Sequence, residues 1–282
     1  MDPLALVTAW VPSWAGLGVP ALLAAGYLAG VLALRARGER WPGWRLALWL
    51  VTAGLAAWTF CGAPFALRAA TTTMDGIALG SASALLPLGL ALGDPVGLVE
   101  RIRGRPIGWL RGRVARLLML PGVSSAIAMV FLTATLTSTW WYRPGATPAL
   151  PWALLMAGSV VTGLLVNLPL LADDLLPPWA TPPVRVLIAF LDGVFDAVPG
   201  IVVMVGVDLW SGGALLAVAE AVGLPMIAVT VARWVRADAA ETRELDARLD
   251  AAEAESAEAG ETDDAGLWWM RDPRFQDRFG GD

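Results

Sequence analysis

The sequence lacks histidine and lysine altogether, and it contains a single cysteine. All twenty basic residues are therefore arginines. The absence of histidine removes the usual proton shuttle and the commonest metal ligand of proteins. Because Cys61 is alone, an intramolecular disulfide bond is excluded, as is every metal motif that requires a pair of cysteines.

Sequence motifs of soluble enzymes are also missing. There is no glycine-rich phosphate loop, no nucleophile elbow and no zinc helix with paired histidines. Without histidine or a second cysteine, a catalytic triad would need an unusual base. The net charge of −5 comes from an acidic stretch after Ala237 and offers no basic surface to nucleic acid. We therefore expect a protein that is not an enzyme and binds no nucleic acid.

Apolar residues are abundant: they make up 57% of the chain, and the mean hydropathy is +0.62. Several apolar stretches reach the roughly 20 residues that a helix needs to cross a lipid bilayer. The pattern predicts an all-α, polytopic membrane protein with seven transmembrane helices. The predicted spans are Leu17–Leu34, Leu46–Pro64, Thr71–Leu92, Leu117–Trp140, Pro151–Leu171, Val184–Val207 and Gly212–Val231.

The arginines are divided unevenly between the predicted loops. The first loop holds four and the third loop six, whereas the loops of the opposite side hold Arg68 and Arg143. Because arginine-rich loops stay in the cytoplasm, the N-terminus is predicted to lie outside and the C-terminus inside. We divide the chain into a transmembrane domain, residues 1–236, and an acidic cytoplasmic tail, residues 237–282.

The tail combines two different compositions. Residues 239–259 are rich in Ala, Glu, Asp and Arg, which favours a solvated helix that continues the last span. The end of the tail places aromatic residues among charges, and such a segment is predicted to dock on the protein itself, the membrane or a partner. The candidate docking residues are Trp268, Trp269, Asp272 and Pro273.

Three acidic residues lie within the last two predicted spans. Asp192 and Asp196 are four residues apart, so a helix places them on one face. Glu220 belongs to the next, antiparallel span, and it lies at the same depth as Asp196, about 15 Å from the outer end. Carboxylates at this depth cost several kcal/mol and usually face the interior of a helix bundle. Asp75, near the outer part of the third span, is expected to join the same cavity from above.

Two interpretations of these acids remain open. They form a site for a proton, a metal or another cation, or they hydrogen-bond between helices and have a structural role. No arginine lies in the middle of a span to pair with them. Soft sulfur atoms are a further candidate, since they suit Cu(I), although scattered methionines more often fill gaps in packing. The three sulfur candidates are Cys61, Met74 and Met204.

Five segments, in this order and spacing, resemble one family of membrane proteins. They are Leu92–Leu98, Thr162–Leu170, Phe195–Gly200, Gly212–Glu220 with Trp234, and Trp268–Pro273. They resemble a Leu-Gly-Ala-Pro-Val-Thr-Leu turn, a Gly-Tyr-Leu-Phe-Phe-Trp-Pro-Leu stretch, a Phe-His-Ala-Phe-Leu-Gly segment, a Gly-Gly…Gly-Glu…Trp ending and the tail of actinobacterial members. The family is the CtaG family of cytochrome c oxidase assembly proteins.

The resemblance implies a polytopic frame that helps to furnish copper to the oxidase. Members carry intramembrane histidines that are natural copper ligands, and this chain has none of them. The aligned positions hold Asp75 and Leu79 in the third span, residues near Met156 and Gly158 in the fifth, and Asp196 in the sixth, while Glu220 keeps the family's acid. Carboxylates prefer harder ions than Cu(I). The resemblance thus implies a divergent, histidine-less member that has lost its copper chemistry.

We therefore expect a chaperone or scaffold for the respiratory oxidase in the plasma membrane of a prokaryote. Its partners would be lipid and either oxidase subunits or other assembly factors. No cofactor is expected: the family resemblance implies copper, and the absence of histidine argues against it. An alternative function is a small proton- or cation-coupled carrier that uses the intramembrane carboxylates. A third is a purely structural membrane subunit.

Overall fold

The computed structural model describes residues 4–120, 122–171 and 182–258, and these residues contain helices and loops but no strand. They form twelve α-helices, one π-helical segment (Ser81–Leu85) and one 3₁₀ turn (Gly108–Arg111). The α-helices are α1 (Ala5–Thr8), α2 (Trp14–Ala36), α3 (Gly43–Cys61), α4 (Ala63–Ala66), α5 (Thr73–Gly80), α6 (Leu86–Leu92), α7 (Pro95–Arg103), α8 (Arg113–Leu118), α9 (Val123–Thr137), α10 (Ala149–Leu171), α11 (Pro182–Gly206) and α12 (Leu209–Glu258).

Six helical stretches of the described chain are long and apolar enough to cross a membrane. They are Trp14–Ala36, Gly43–Ala66, Thr73–Arg103, Ala149–Leu168, Val186–Gly206 and Leu209–Ala251. The remaining apolar helix, α9, has 15 residues, and its length of about 22 Å is less than the hydrocarbon thickness of about 30 Å. The prediction of an all-α, polytopic membrane protein is confirmed. The total of seven spans and the orientation of the termini stay predictions.

The fourth predicted span, Leu117–Trp140, is wrong at both ends. The helix α8 ends at Leu118, and α9 begins only after Gly122, whose φ of 85° lies in the left-handed region. Glycine adopts this conformation without the steric cost of a side chain, so the chain turns here and does not continue one helix. At the other end α9 stops at Thr137, before Trp140.

The third span is one unbroken helical stretch, but its hydrogen-bond pattern changes in the middle. The π-helical segment Ser81–Leu85 lies between α5 and α6. Pro87, in the first turn of α6, has no N–H to donate to the carbonyl of Ser83 four residues earlier, which interrupts the regular ladder. Single π turns of this kind are often found where a helix wall forms a functional site.

One hydrophobic cluster holds α2, α3, α6 and α7 together. The ring of Tyr27 stacks on Trp49 with centroids 4.4 Å apart, and its hydroxyl donates to the Gly93 carbonyl at 2.5 Å. Asp94 follows in the left-handed conformation, forms an ion pair with Arg45 and accepts the N–H of Gly97 at 2.8 Å. The turn after the third span is therefore fixed by aromatic stacking and by the N-cap of α7.

The second cluster lies between α5, α9, α10, α11 and the start of α12. Its buried side chains are Ala78, Leu79, Ala82, Leu132, Leu136, Tyr142, Trp152, Leu155, Met156, Val203 and Leu215. Close packing is possible because small residues let the helices approach. A Cβ atom on Gly80 would lie 2.7 Å from the Cβ of Val218, and one on Gly200 would lie 2.8 Å from that of Leu216.

The chain divides into two compact units, Met1–Thr230 and Val231–Asp282. Within the second unit the helix α12 continues to Glu258, so the helix predicted from the composition of residues 239–259 is confirmed over its described part. Side chains on it are exposed from Glu241 to Ala251. The predicted domain boundary at residue 236 stays a prediction. The docking residues Trp268, Trp269, Asp272 and Pro273 lie outside the described residues.

Candidate functional site

Two of the predicted acidic residues open into a cavity inside the first unit. The cavity has a volume of about 40 Å³ and is bounded by the π-helical segment, α9, α10, α11 and α12. A polar cavity needs roughly 10–15 Å³ to hold one water molecule. The space is therefore sufficient for water or for a small cation, and too small for an organic substrate.

Asp192 and Asp196 both line this cavity from α11. The Oδ1 atom of Asp192 accepts a hydrogen bond from the Ser125 hydroxyl of α9 at 2.5 Å. Asp196 receives no hydrogen bond from any residue that the structure describes, and it lies close enough to Asp192 and Glu220 for their charges to interact. Glu220 does not line the cavity itself, whereas Val222, two residues further on, does.

The sequence prediction missed several polar residues of this site. Ser83, Thr162 and Asn167 also line the cavity, and Ser125 reaches it through Asp192. The Thr162 hydroxyl donates to the Gly158 carbonyl and the Asn167 amide to the Gly163 carbonyl, both at 2.9 Å, so their oxygen atoms remain as acceptors. The signal that could have found them is simple, because polar residues within apolar spans usually face the bundle interior.

A glycine of α10 shapes the wall of the cavity. A Cβ atom on Gly163 would collide with the carbonyl oxygen of Ser83 and would come within 2.5 Å of the Pro87 ring. The close approach depends on the π-helical segment, which turns the Ser83 carbonyl toward α10. Gly163 and the interrupted ladder at Pro87 thus form one structural feature that places Ser83 at the cavity.

Asp75 does not join this cavity, contrary to the expectation from the sequence. Ser83 lines the cavity eight residues further along the same stretch, about 12 Å away at helical rise. Asp75 is fully buried, and its Oδ2 atom accepts the N–H of Gly145 at 2.6 Å. It therefore belongs to a second polar cluster, which lies where α5 begins and the loop between α9 and α10 returns.

The cluster around Asp75 ties three segments together. Arg68 donates to the Thr147 carbonyl at 2.9 Å, stacks 4.8 Å above the Trp152 ring and interacts with the charge of Asp75. Burial lowers the pKa of the Arg68 guanidinium, and the Asp75 carboxylate acts in the opposite direction. We call this group the loop cluster; it consists of Arg68, Asp75, Gly145, Thr147 and the hydrogen-bonded pair Tyr142 and Ser211.

Tyr142 connects the loop cluster to the start of α12. Its hydroxyl forms a hydrogen bond with the Ser211 hydroxyl, and the Ser211 N–H donates to Asp208 at 2.7 Å, an N-cap of α12. Burial raises the pKa of the Tyr142 hydroxyl, so the group stays protonated and neutral. The loop cluster pairs most of its polar groups, but the Oδ1 atom of Asp75 and the Nη1 atom of Arg68 are buried without a hydrogen-bond partner among the described residues.

The predicted sulfur ligands are not gathered at the cavity. Cys61 is buried, with its Sγ atom 3.7 Å from the Ser13 hydroxyl. The backbone of Met204 lies close to Gly212, and its sulfur atom would lie 3.9 Å from a Cβ atom on Gly213. Met74 is buried at the start of α5. The structure places none of these three sulfur atoms on the cavity wall, where the soft donor is Met226.

The donor atoms of the cavity do not fit Cu(I). Carboxylate, hydroxyl and amide oxygens dominate, whereas Cu(I) selects thiolate and thioether sulfur. Within the described residues, no three Cys, Asp or Glu side chains are arranged so that they could hold a metal ion together. The site therefore suits a proton, a water molecule or a weakly bound hard cation.

Fold and site together define a polytopic helical membrane protein with a small acidic cavity among its helices. A family model, cytochrome c oxidase caa3 assembly factor (Caa3_CtaG), matches residues 25–237. The chain therefore belongs to this family of oxidase assembly factors, and the resemblance found from its motifs is confirmed. The matched range includes every residue of the cavity. No curated protein and no solved structure matches the chain.

Proposed function

We propose that the protein is a chaperone or scaffold that supports assembly of cytochrome c oxidase in a prokaryotic plasma membrane, without catalysing a reaction. The observation that carries the proposal is the cavity lined by Asp192 and Asp196, which lies within the family range. Asp196, at the position of a family histidine, keeps a polar group there and has no hydrogen-bond partner among the described residues. Such a group is retained more readily for a role in binding than for packing.

The proposed role does not include delivery of copper. The cavity wall offers oxygen donors and one thioether, a poor match for Cu(I). In this proposal the acids hold a proton or a hard cation, and they stabilise the arrangement of α11 and α12 that an oxidase subunit contacts. The family frame is kept and its metal chemistry is lost.

Deletion of the gene tests the proposed function directly. We expect less assembled oxidase, measured by haem absorption spectra of membranes and by native gels, with full recovery when the wild-type gene is returned. Recovery should be poor with Asp196→Asn at equal protein abundance. Unchanged oxidase spectra in the deletion strain would contradict the assembly role.

A separate titration tests the loss of copper binding. The purified protein and the Asp196→His variant are each titrated with Cu(I) in competition with a chromophoric chelator. We expect no tight copper in the wild type, because oxygen donors compete poorly for this ion. Tight stoichiometric copper in the wild type would show that the site still handles the metal.

A second candidate function is a small proton- or cation-coupled carrier. It is favoured by the cavity itself, since two carboxyl groups and space for water lie together inside the bundle. Ion or pH changes inside vesicles that contain the purified protein would test it, with Asp192→Asn as the inactive comparison. Flux that depends on Asp192 would favour the carrier over the scaffold.

A further inference from the structure

We propose that residues 105–118 form a binding surface for the headgroups of anionic phospholipids. This segment, the arginine surface, includes the 3₁₀ turn and α8 and joins α7 to α9. The proposal concerns a different part of the molecule from the acidic cavity and does not depend on a role in oxidase assembly.

The arginine surface contains buried and exposed apolar side chains. Leu110, within the segment, and Met119, the residue after it, are buried, at 8% and 4% exposure. Trp109, Val114 and Leu117, by contrast, are 73%, 72% and 60% exposed. Three large apolar side chains directed away from the protein need a non-aqueous environment.

Within α8 the apolar and charged residues separate by face. Val114, Leu117 and Leu118 recur at the spacing of one helix face, and all three are exposed. Arg113 and Arg116 lie one turn apart, beside that face, and both are exposed. An apolar face bordered by arginines is the pattern of a helix that lies in the plane of the membrane interface.

The charge of the segment is of one sign. Six arginines lie from Arg101 to Arg116, and this stretch contains no acidic residue. The preceding acid, Glu100, accepts the N–H of Ile107 at 2.8 Å and so helps to shape the turn. Phosphate groups of lipids are the anions that a surface of this charge and position would meet first.

The segment lies between two apolar parts of the chain, which places it at the membrane surface. It follows the third span and α7, and it precedes α9, an apolar helix that starts at Val123. The apolar side of α7 is already occupied, because Leu98 and Ile102 contact α2 at Gly30. The exposed apolar face of α8, together with the exposed side chains of Trp109 and Val99, therefore remains for lipid.

The first experiment measures lipid preference in vesicles that contain the full-length protein. Spin-labelled phosphatidylglycerol and phosphatidylcholine are compared for association with the wild type, with Arg113→Gln/Arg116→Gln, and with a matched control, Arg243→Gln/Arg248→Gln. The control arginines are exposed on α12, in the second unit. We expect the wild-type preference for phosphatidylglycerol to fall by up to roughly tenfold in the first pair, less where salt screens it, and to stay unchanged in the control.

The second experiment measures depth with spin labels on Val114→Cys and on the exposed control Leu245→Cys. The native Cys61 is buried, which limits labelling there. The label at position 114 should be shielded from a water-soluble relaxing agent and reached by oxygen, while the control label should show the reverse.

Three outcomes would overturn the proposal. Equal lipid preference in both arginine pairs would show that these charges do not bind headgroups. A water-exposed label at position 114 would leave the apolar face for a protein partner. Loss of the preference when inorganic phosphate is added, but not when sodium chloride is added to the same ionic strength, would indicate a site for small anions and not a lipid surface.

Discussion

The loop cluster and the cavity contain the same residue type in two different environments. Asp75 is fully buried and meets a backbone N–H and the charge of Arg68. Asp196 lines a cavity, has two acidic neighbours and accepts no hydrogen bond from the described residues. Burial alone therefore does not distinguish the two acids; the partners of their carboxyl groups do.

The physical basis of the comparison is the cost of a buried charge. A carboxylate removed from water is tolerated when opposite charge and hydrogen-bond donors compensate it. The loop cluster supplies a donor to the Oδ2 atom of Asp75 and the opposite charge of Arg68, and it joins three segments, so its acid acts as structure. The cavity supplies space and one donor, Ser125, so its acids remain available to a proton or a cation.

The largest effect is expected for Asp75→Ala. The change leaves the Gly145 N–H without its acceptor and Arg68 without its counter-charge, a loss of about 3 kcal/mol in the free energy of unfolding. Unfolding in mixed detergent, followed by helical circular dichroism, measures it, and Asp196→Ala serves as the comparison with a loss of less than about 1 kcal/mol. Equal losses in the two variants would remove the distinction between the two acids.

Gly163→Ala should have the next largest effect. The new Cβ atom meets the Ser83 carbonyl and the Pro87 ring, and overpacking of this kind costs about 1–3 kcal/mol. The matched control is Gly54→Ala in α3, where a Cβ atom meets nothing within 4 Å, and it should be neutral or slightly stabilising. Similar unfolding curves for the two variants would mean that α10 does not approach the π-helical segment so closely.

Tyr142→Phe should cost about 1 kcal/mol of unfolding free energy, because the Ser211 hydroxyl loses its partner while the ring stays in place. The same unfolding assay measures it. Ser211 lies in the first turn of α12, so this variant tests the contact of the loop cluster with that helix. No loss of stability would show that the loop cluster does not depend on this bond.

Ser125→Ala should have the smallest effect on stability, below about 1 kcal/mol, since it removes one hydrogen bond to a residue beside a cavity. Its signature is spectroscopic: the infrared carboxyl band of Asp192 should shift. The adjacent Ser124→Ala is the control, because Ser124 donates to the backbone carbonyl of Leu120, in the turn before α9. An identical band in both variants would contradict the contact between Ser125 and Asp192.

Much of the fold could be predicted because the membrane requires long apolar helices. Four of the predicted spans coincide, within a few residues at each end, with helices that are long enough to cross the bilayer; the third coincides with the stretch from α5 to α6, and the last with the first part of α12. The start of the fourth was wrong because Gly122 adopts a left-handed conformation, which hydropathy does not reveal. The π-helical segment was also missed, since its cause, Pro87, acts through one missing N–H in an otherwise apolar stretch.

The candidate site was predicted in part. The four-residue spacing of Asp192 and Asp196 placed both on one face of α11, and the structure shows that this face meets the cavity. Asp75 was misplaced, because depth along a helix says nothing about which loop folds over it. Its partner, Gly145, contributes a backbone N–H from a loop, and such a contact leaves no trace in residue type.

The most direct test of the account compares Asp196→Asn with Asp75→Asn in a strain that lacks the chromosomal gene. Assembled oxidase, measured from haem spectra, is divided by the amount of the variant protein in the same membranes. We predict that Asp196→Asn lowers this ratio while its abundance stays normal, and that Asp75→Asn lowers abundance while the ratio stays normal. A normal ratio for Asp196→Asn would contradict the claim that the cavity, and not the loop cluster, carries the function.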